Sequence, residues 1–157
     1  MKYLRHFLLI ILVFIIQIAI VPNITIKLAF PNLILIVCIA LALNFKYEES
    51  LLWAVIGGLL LDVYSPMRFG INTITLVALS SIVYFTFRKF ISQPIMPIVF
   101  VVFFVMSLLY DLVPYLLYSK DIKVYFFDAI YNTIIGVIVY YFLNSMKSKN
   151  NQYQITV

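Results

Sequence analysis

Apolar residues run along this chain in long stretches, broken by short clusters of proline, asparagine and charge. The first stretch runs from Phe7 to Val21 and is stopped by Pro22-Asn23. The second opens after Pro31-Asn32, a proline being tolerated in a helix's first turn where its missing N–H costs nothing. Later breaks fall at Lys46 to Ser50, Ser65 to Gly70, Arg88-Lys89 with Ser92 to Pro97, and Ser119 to Lys123. This punctuation predicts six helices, over about 7–21, 33–45, 49–64, 72–87, 98–118 and 124–143, with a polar, mobile tail over 147–157. Ser65-Pro66 begins a turn in which Gly70 supplies a positive φ, so helices 3 and 4 are expected as an antiparallel hairpin. Pro114 is a candidate kink near the end of helix 5. The alternation Ile24, Ile26, Leu28, Phe30 fits either a strand or an interfacial stretch.

Composition changes the meaning of these stretches. Hydrophobic residues make up 65% of the 157 residues and charged residues 11%, with a mean hydropathy of +1.10. A soluble domain carries roughly 25% charged residues. Most of this chain's outer surface is therefore expected to face lipid. A transmembrane helix takes about 20 residues to cross a core of about 30 Å, so six helices use most of the chain. The expected fold is an all-α integral membrane protein, one transmembrane domain over residues 1–146 with no soluble domain. The apolar run after the basic N-terminus is long and lacks an Ala-x-Ala site, so it reads as a retained first span. Helix 3 is the weakest span of the six.

The net charge of +5 sits in the short loops. Alternating the loops puts Lys2, Arg5, Lys46, Arg88, Lys89, Lys147 and Lys149 on one side and Lys27, Arg68, Lys120 and Lys123 on the other. The richer side is expected to be cytoplasmic, which places both termini there. Basic residues so arranged point to topology control and anionic lipid, not to nucleic acid.

Polar residues inside the apolar stretches are the candidate functional positions, because they are costly in hydrocarbon and face the bundle interior. Asp62, Asp111 and Asp128 all fall within roughly 10 Å of the outer boundary at 1.5 Å per residue, which predicts a polar cluster there. Ala54, Gly58 and Asp62 share one narrow helix face, as do Asp128, Asn132 and Gly136. Ser107, Asp111 and Tyr118 form a similar face of helix 5. Small residues let helices approach and polar ones bond across the contact. Arg68 is the expected cation for Asp62. Asp62 could instead mark a helix end among headgroups, Asp128 could serve its own helix dipole, and Asp111 could be a buried carboxyl bonded between helices. His6 reads as a solvated flank, Gln17 as contact glue and Cys38 as a small buried residue.

Reaction-bearing patterns are absent. There is no His-Glu-x-x-His, no Cys/His cluster, no Gly-x-Ser-x-Gly and no phosphate-cradling glycine loop. One histidine removes most acid–base schemes. An aspartyl dyad drawn from Asp62, Asp111 and Asp128 is the one formal catalytic alternative, without the short motifs of intramembrane aspartyl proteases; the residues otherwise point to a non-enzymatic protein, with no catalytic, cofactor or metal site.

Four features in order resemble the rod shape-determining protein MreD family. Phe30-Pro31-Asn32-Leu33 before an apolar run is similar to that family's opening of helix 2. Gly58-Leu59-Leu60-Leu61-Asp62, with Gly70 eight residues on, resembles its helix 3 to helix 4 hairpin. Asp111 and Tyr131-Asn132 match an acidic and an asparagine position in its last two helices. Arg68 and Asp128 are not part of that pattern. The resemblance implies a fold similar to substrate-binding membrane subunits of vitamin transporters. It implies a scaffold of the bacterial elongation machinery, binding MreC and linking MreB filaments to RodA and a penicillin-binding transpeptidase in the inner membrane. The alternative is a substrate-binding membrane subunit of a small-molecule transporter, which an outward polar cavity would suit.

Overall fold

The computed structural model describes residues 2–19, 30–65, 68–90, 94–118 and 122–153. These hold six α-helices and no strand: α1 (Lys2–Ala19), α2 (Leu33–Leu43), α3 (Tyr47–Tyr64), α4 (Ile71–Phe90), α5 (Met96–Tyr118) and α6 (Ile122–Tyr153). The stretch 24–29, whose alternation left strand and interfacial readings open, lies outside the described residues. Three helical stretches are long and apolar enough to cross a membrane by length and composition: Ile71–Phe90, Met96–Val113 and Phe126–Ser145. They mark the chain as a membrane protein. Helix α3 has the length, but Glu48, Glu49 and Asp62 interrupt its apolar character.

Helix α2 is the centre of the molecule. Nine of its eleven residues are buried, and it touches each of the other helices. Apolar side chains all round such a helix have no solvent-facing stripe to give up, which is the signature of a helix enclosed by others. Around it, α1 packs on α3, α3 on α4, α4 on α5 and α5 on α6. The outer faces of these helices remain apolar and exposed, for example at Ile74, Phe85, Phe100, Leu112 and Ile138. Exposed apolar area on that scale is what a lipid-facing surface requires.

At eleven residues α2 is about 17 Å long, roughly half a hydrocarbon core. The expected end at Phe45 is therefore corrected to Leu43. The chain turns there through a left-handed residue, Phe45, at φ 60°. Phe45 N–H bonds Ala42 O and Lys46 N–H bonds Leu41 O, the paired bonds of a Schellman cap. Glycine usually fills that position, and none stands here, so the signal was invisible in the sequence. The Asn44 side chain adds a bond to Ala40 O at 2.9 Å.

Other boundaries also move. Lys46 to Ser50 is not a loop, because α3 starts at Tyr47 with Glu48 and Glu49 in its first turn, where acidic side chains favour the helix dipole. Pro97 lies in the first turn of α5, and α5 continues through Pro114 to Tyr118. The segment from 147 to 153, expected as a mobile tail, continues α6 as helix. Pro31 precedes the cap of α2 and is not in its first turn.

Close packing rests on small residues. A Cβ on Gly58 would lie 2.6 Å from the Thr73 Cα of α4, and one on Gly57 would lie 2.6 Å from Ile34 Cγ2 of α2. A Cβ on Gly136 would run into the Phe103 ring of α5. Ala54 is fully buried beside this contact line. Gly70 stands at φ 94° with open space around it, so backbone conformation alone selects glycine there.

Candidate functional site

A helix that starts inside a protein presents N–H groups that no preceding turn can satisfy. At the starts of α2 and α4 such N–H groups meet buried polar side chains.

At the start of α2, Asn32 is the N-cap, and its side-chain oxygen accepts from Leu35 N–H at 3.1 Å. Its own N–H donates to Asn132 Oδ1 of α6 at 2.7 Å. Gln17 of α1 takes both sides of the next peptides: its amide donates to Pro31 O at 3.0 Å, and its oxygen accepts from Leu33 N–H at 2.7 Å. Phe30 N–H donates to Asp128 Oδ1. Side chains from α1 and α6 thus close around a non-helical entry to α2. Non-helical backbone at membrane depth is tolerated only when protein groups satisfy it in this manner.

At the start of α4 one carboxylate does the same work. Asp62, only 3% exposed, accepts from Asn72 N–H at 2.8 Å, from Thr73 N–H at 3.1 Å and from the Thr73 hydroxyl at 2.6 Å. The anion also faces the positive end of α4. Arg68, the expected cation for Asp62, is exposed, and the carboxylate is occupied by the helix terminus instead.

Tyr110 of α5 joins the two ends. Its hydroxyl donates to Asn72 Oδ1 at 2.7 Å and lies within interaction range of the Asn32 side chain. Asp111 follows it, buried, and electrostatically coupled to Asp128. Asp128 lies in the second turn of α6, whose first residue is Ile122, so it serves the entry to α2 and not its own helix end. The layer therefore contains Pro31, Asn32, Asp62, Asp111, Asp128 and Asn132, while Ala54, Gly58 and Gly136 lie along the helix contacts beside it. Gly70 stands in the turn between α3 and α4.

A second polar group lies at the end of the bundle that carries Arg5 and Lys46. His6 is buried, which corrects its reading as a solvated flank. Its Nδ1 accepts from Trp53 Nε1–H at 3.2 Å, and its Nε2 lies 3.7 Å from Glu49 Oε2. Lys46 Nζ lies 3.7 Å from the same carboxylate oxygen. The Ser50 hydroxyl donates to Cys38 O at 2.8 Å, tying α3 to the middle of α2. Cys38 itself is a free, buried thiol.

Sequence reasoning missed Asn72, Thr73 and Tyr110. One signal could have found the first two: a carboxylate eight residues before the turn glycine, followed by Asn-Thr at the next helix's start, is placed to cap it. Among the described residues no group of three or more His, Cys, Asp or Glu is arranged to hold a metal ion. A comparison with protein-family models, curated proteins and solved structures finds no match to this chain.

Proposed function

We propose that this chain is a non-enzymatic, multi-pass scaffold protein of the bacterial inner membrane, of the MreD kind, with both termini cytoplasmic. In this reading all six helices cross the bilayer, α2 being a short one enclosed by the other five. The protein binds MreC and couples MreB filaments to RodA and a penicillin-binding transpeptidase.

One observation carries the proposal. Three of the residues that bear the family resemblance, Asn32, Asp62 and Asn132, close the starts of α2 and α4. A pattern shared for reasons of architecture is expected to fall on such positions. The same residues are spent on backbone groups, which leaves them unsuited to acid–base chemistry on a substrate. This supports a structural role over a catalytic one.

The test is affinity purification of the tagged chain in mild detergent, with the co-purifying proteins identified by mass spectrometry. Recovery of an MreC-like protein with wall synthases supports the scaffold. Recovery of ATPase subunits overturns it in favour of the transporter reading.

A further inference from the structure

Helix α1 lies at one edge of the bundle: it packs on α3 and α2 and, among the described residues, on no other helix. Its inward side buries His6 and Ile10, and Gln17 reaches the entry to α2. The outward side is a different surface. Leu4, Leu8 and Leu12 follow one another at i, i+4 spacing, and Arg5 and Leu9 form the neighbouring row. The leucines are exposed, from 41% at Leu9 to 63% at Leu4, and Arg5 is exposed with them. These five side chains line an open groove of about 370 Å³.

The chemistry of the groove selects its occupant. Four leucines offer nothing to a polar ligand, and from Leu4 to Leu12 they extend about 12 Å along the helix at 1.5 Å per residue. Arg5 adds a permanent positive charge near the start of the helix, on a stem that lies on apolar surface while its guanidinium stays at the water boundary. Among the described residues no carboxylate pairs with that charge. Glu49, the carboxylate buried at this end, lies 3.7 Å from Lys46 Nζ and 3.7 Å from His6 Nε2 instead. An apolar groove that ends in an unpaired cation complements an amphiphile with an anionic head. For a membrane protein the amphiphile at hand is a phospholipid, and an anionic one is drawn to a basic residue at the membrane surface. A second membrane helix suits this side poorly. Close helix contacts use small residues, and the one small residue of α1 is Ala19, at its far end.

We propose that this groove holds one anionic phospholipid, with an acyl chain along Leu4, Leu8, Leu9 and Leu12 and its phosphate against the Arg5 guanidinium. The guanidinium and phosphate meet as a charge-assisted pair, and the leucines cover the part of the chain nearest the headgroup. The lipid takes the side of α1 turned away from α2 and α3. The site goes beyond the scaffold reading and rests only on the chain being a membrane protein, whatever its partners.

The experiment titrates the full chain, delipidated in mild detergent, with phosphatidylglycerol or with phosphatidylcholine of the same acyl chains, and counts bound lipid by native mass spectrometry. One phosphatidylglycerol per chain is expected, held more tightly than phosphatidylcholine. Arg5→Gln, at an exposed position, lowers that affinity about fivefold, one basic side chain's share of the attraction to anionic lipid, and Arg5→Lys keeps most of it. Leu8→Trp, which fills the groove, lowers phosphatidylglycerol binding severalfold with Arg5 in place. Arg88→Gln, at the end of the bundle that carries Lys46 but outside the groove, leaves it unchanged. Equal affinity of the wild type for the two lipids overturns the proposal, as does an undiminished preference in Arg5→Gln. An equal loss in Arg88→Gln overturns it in favour of diffuse attraction to the basic side. Competition by glycerol 3-phosphate as strong as by the whole lipid overturns it, because the leucines then contribute nothing. A wild-type dimer that Leu8→Trp takes apart overturns it in favour of a second copy of the chain.

Discussion

Replacing Asp62 by leucine tests the central physical claim, that a carboxylate from α3 builds the start of α4. The substitution removes the acceptor for two backbone N–H groups and one hydroxyl, at 2.8, 3.1 and 2.6 Å. Hydrogen bonds measured inside membrane proteins average about 0.6 kcal/mol and reach about 1.7. A buried N–H left without a partner costs about 1–3 kcal/mol. Leucine recovers part of this by relieving the desolvation of a buried anion. The net expectation is a loss of about 2–3 kcal/mol. Asp62→Asn keeps the shape, but presents an amide donor where two donors already point, and is expected to lose about 1–2 kcal/mol. Thr73→Val removes only the hydroxyl bond, worth about 1 kcal/mol. The assay is equilibrium unfolding in mixed micelles with increasing SDS, followed by Trp53 emission and helical circular dichroism. Trp53 lies in α3 and is the only tryptophan, so one signal reports the helix concerned. Asp62→Asn and Thr73→Val should couple, the double variant losing less than the two singles together. An Asp62→Leu protein within about 0.5 kcal/mol of wild type, or strict additivity with Thr73→Val, refutes the capping argument and returns Asp62 to a solvated headgroup position.

Three further outcomes follow from the same packing. Gly58→Val forces α3 and α4 apart, because even a Cβ would stand 2.6 Å from the Thr73 backbone; a loss of about 1–3 kcal/mol in the SDS titration is expected, more than for the same change at an exposed helix position. Gln17→Leu strands Pro31 O and Leu33 N–H at the entry to α2, and hydrogen exchange should quicken selectively at residues 33–36 while α5 keeps its protection. His6→Phe fills the site but deletes the acceptor for the Trp53 indole, so the emission maximum should shift and stability fall by about 1–2 kcal/mol; an unchanged spectrum would mean the indole bond is not formed.

Much of the architecture was legible in the order of apolar stretches. Six helices appeared where proline, asparagine and charge interrupt hydrophobic runs, because a chain dominated by hydrophobic residues has few other ways to satisfy its backbone. Gly58, Ala54 and Gly136 were legible as contact residues because side-chain size alone sets how near two helices come. The glycine at position 70 was legible because only φ > 0 accounts for it. Asp62, Asp111, Asp128 and Asn132 stood out because polar groups in an apolar run must find a reason to be there.

What those polar groups do was decided by the tertiary structure. Spacing along one helix shows which residues share a face but not which backbone end from another helix that face meets. Asp62 was assigned to Arg68 on sequence proximity, whereas the N–H groups of Asn72 and Thr73 reach it first and need no long side chain to be ordered. His6 read as solvated because it stands near a basic terminus, and only the packing of α1 on α3 brings Trp53 and Glu49 against it. The length of α2 was hidden for a related reason. Its cap uses phenylalanine at φ 60° where glycine is the usual sign, at a cost that the surrounding helices must offset. Sequence by itself determined that the chain would be helical and apolar outside. The meeting of distant helix ends in a low-dielectric interior decided which helix is central and which backbone groups each polar side chain meets.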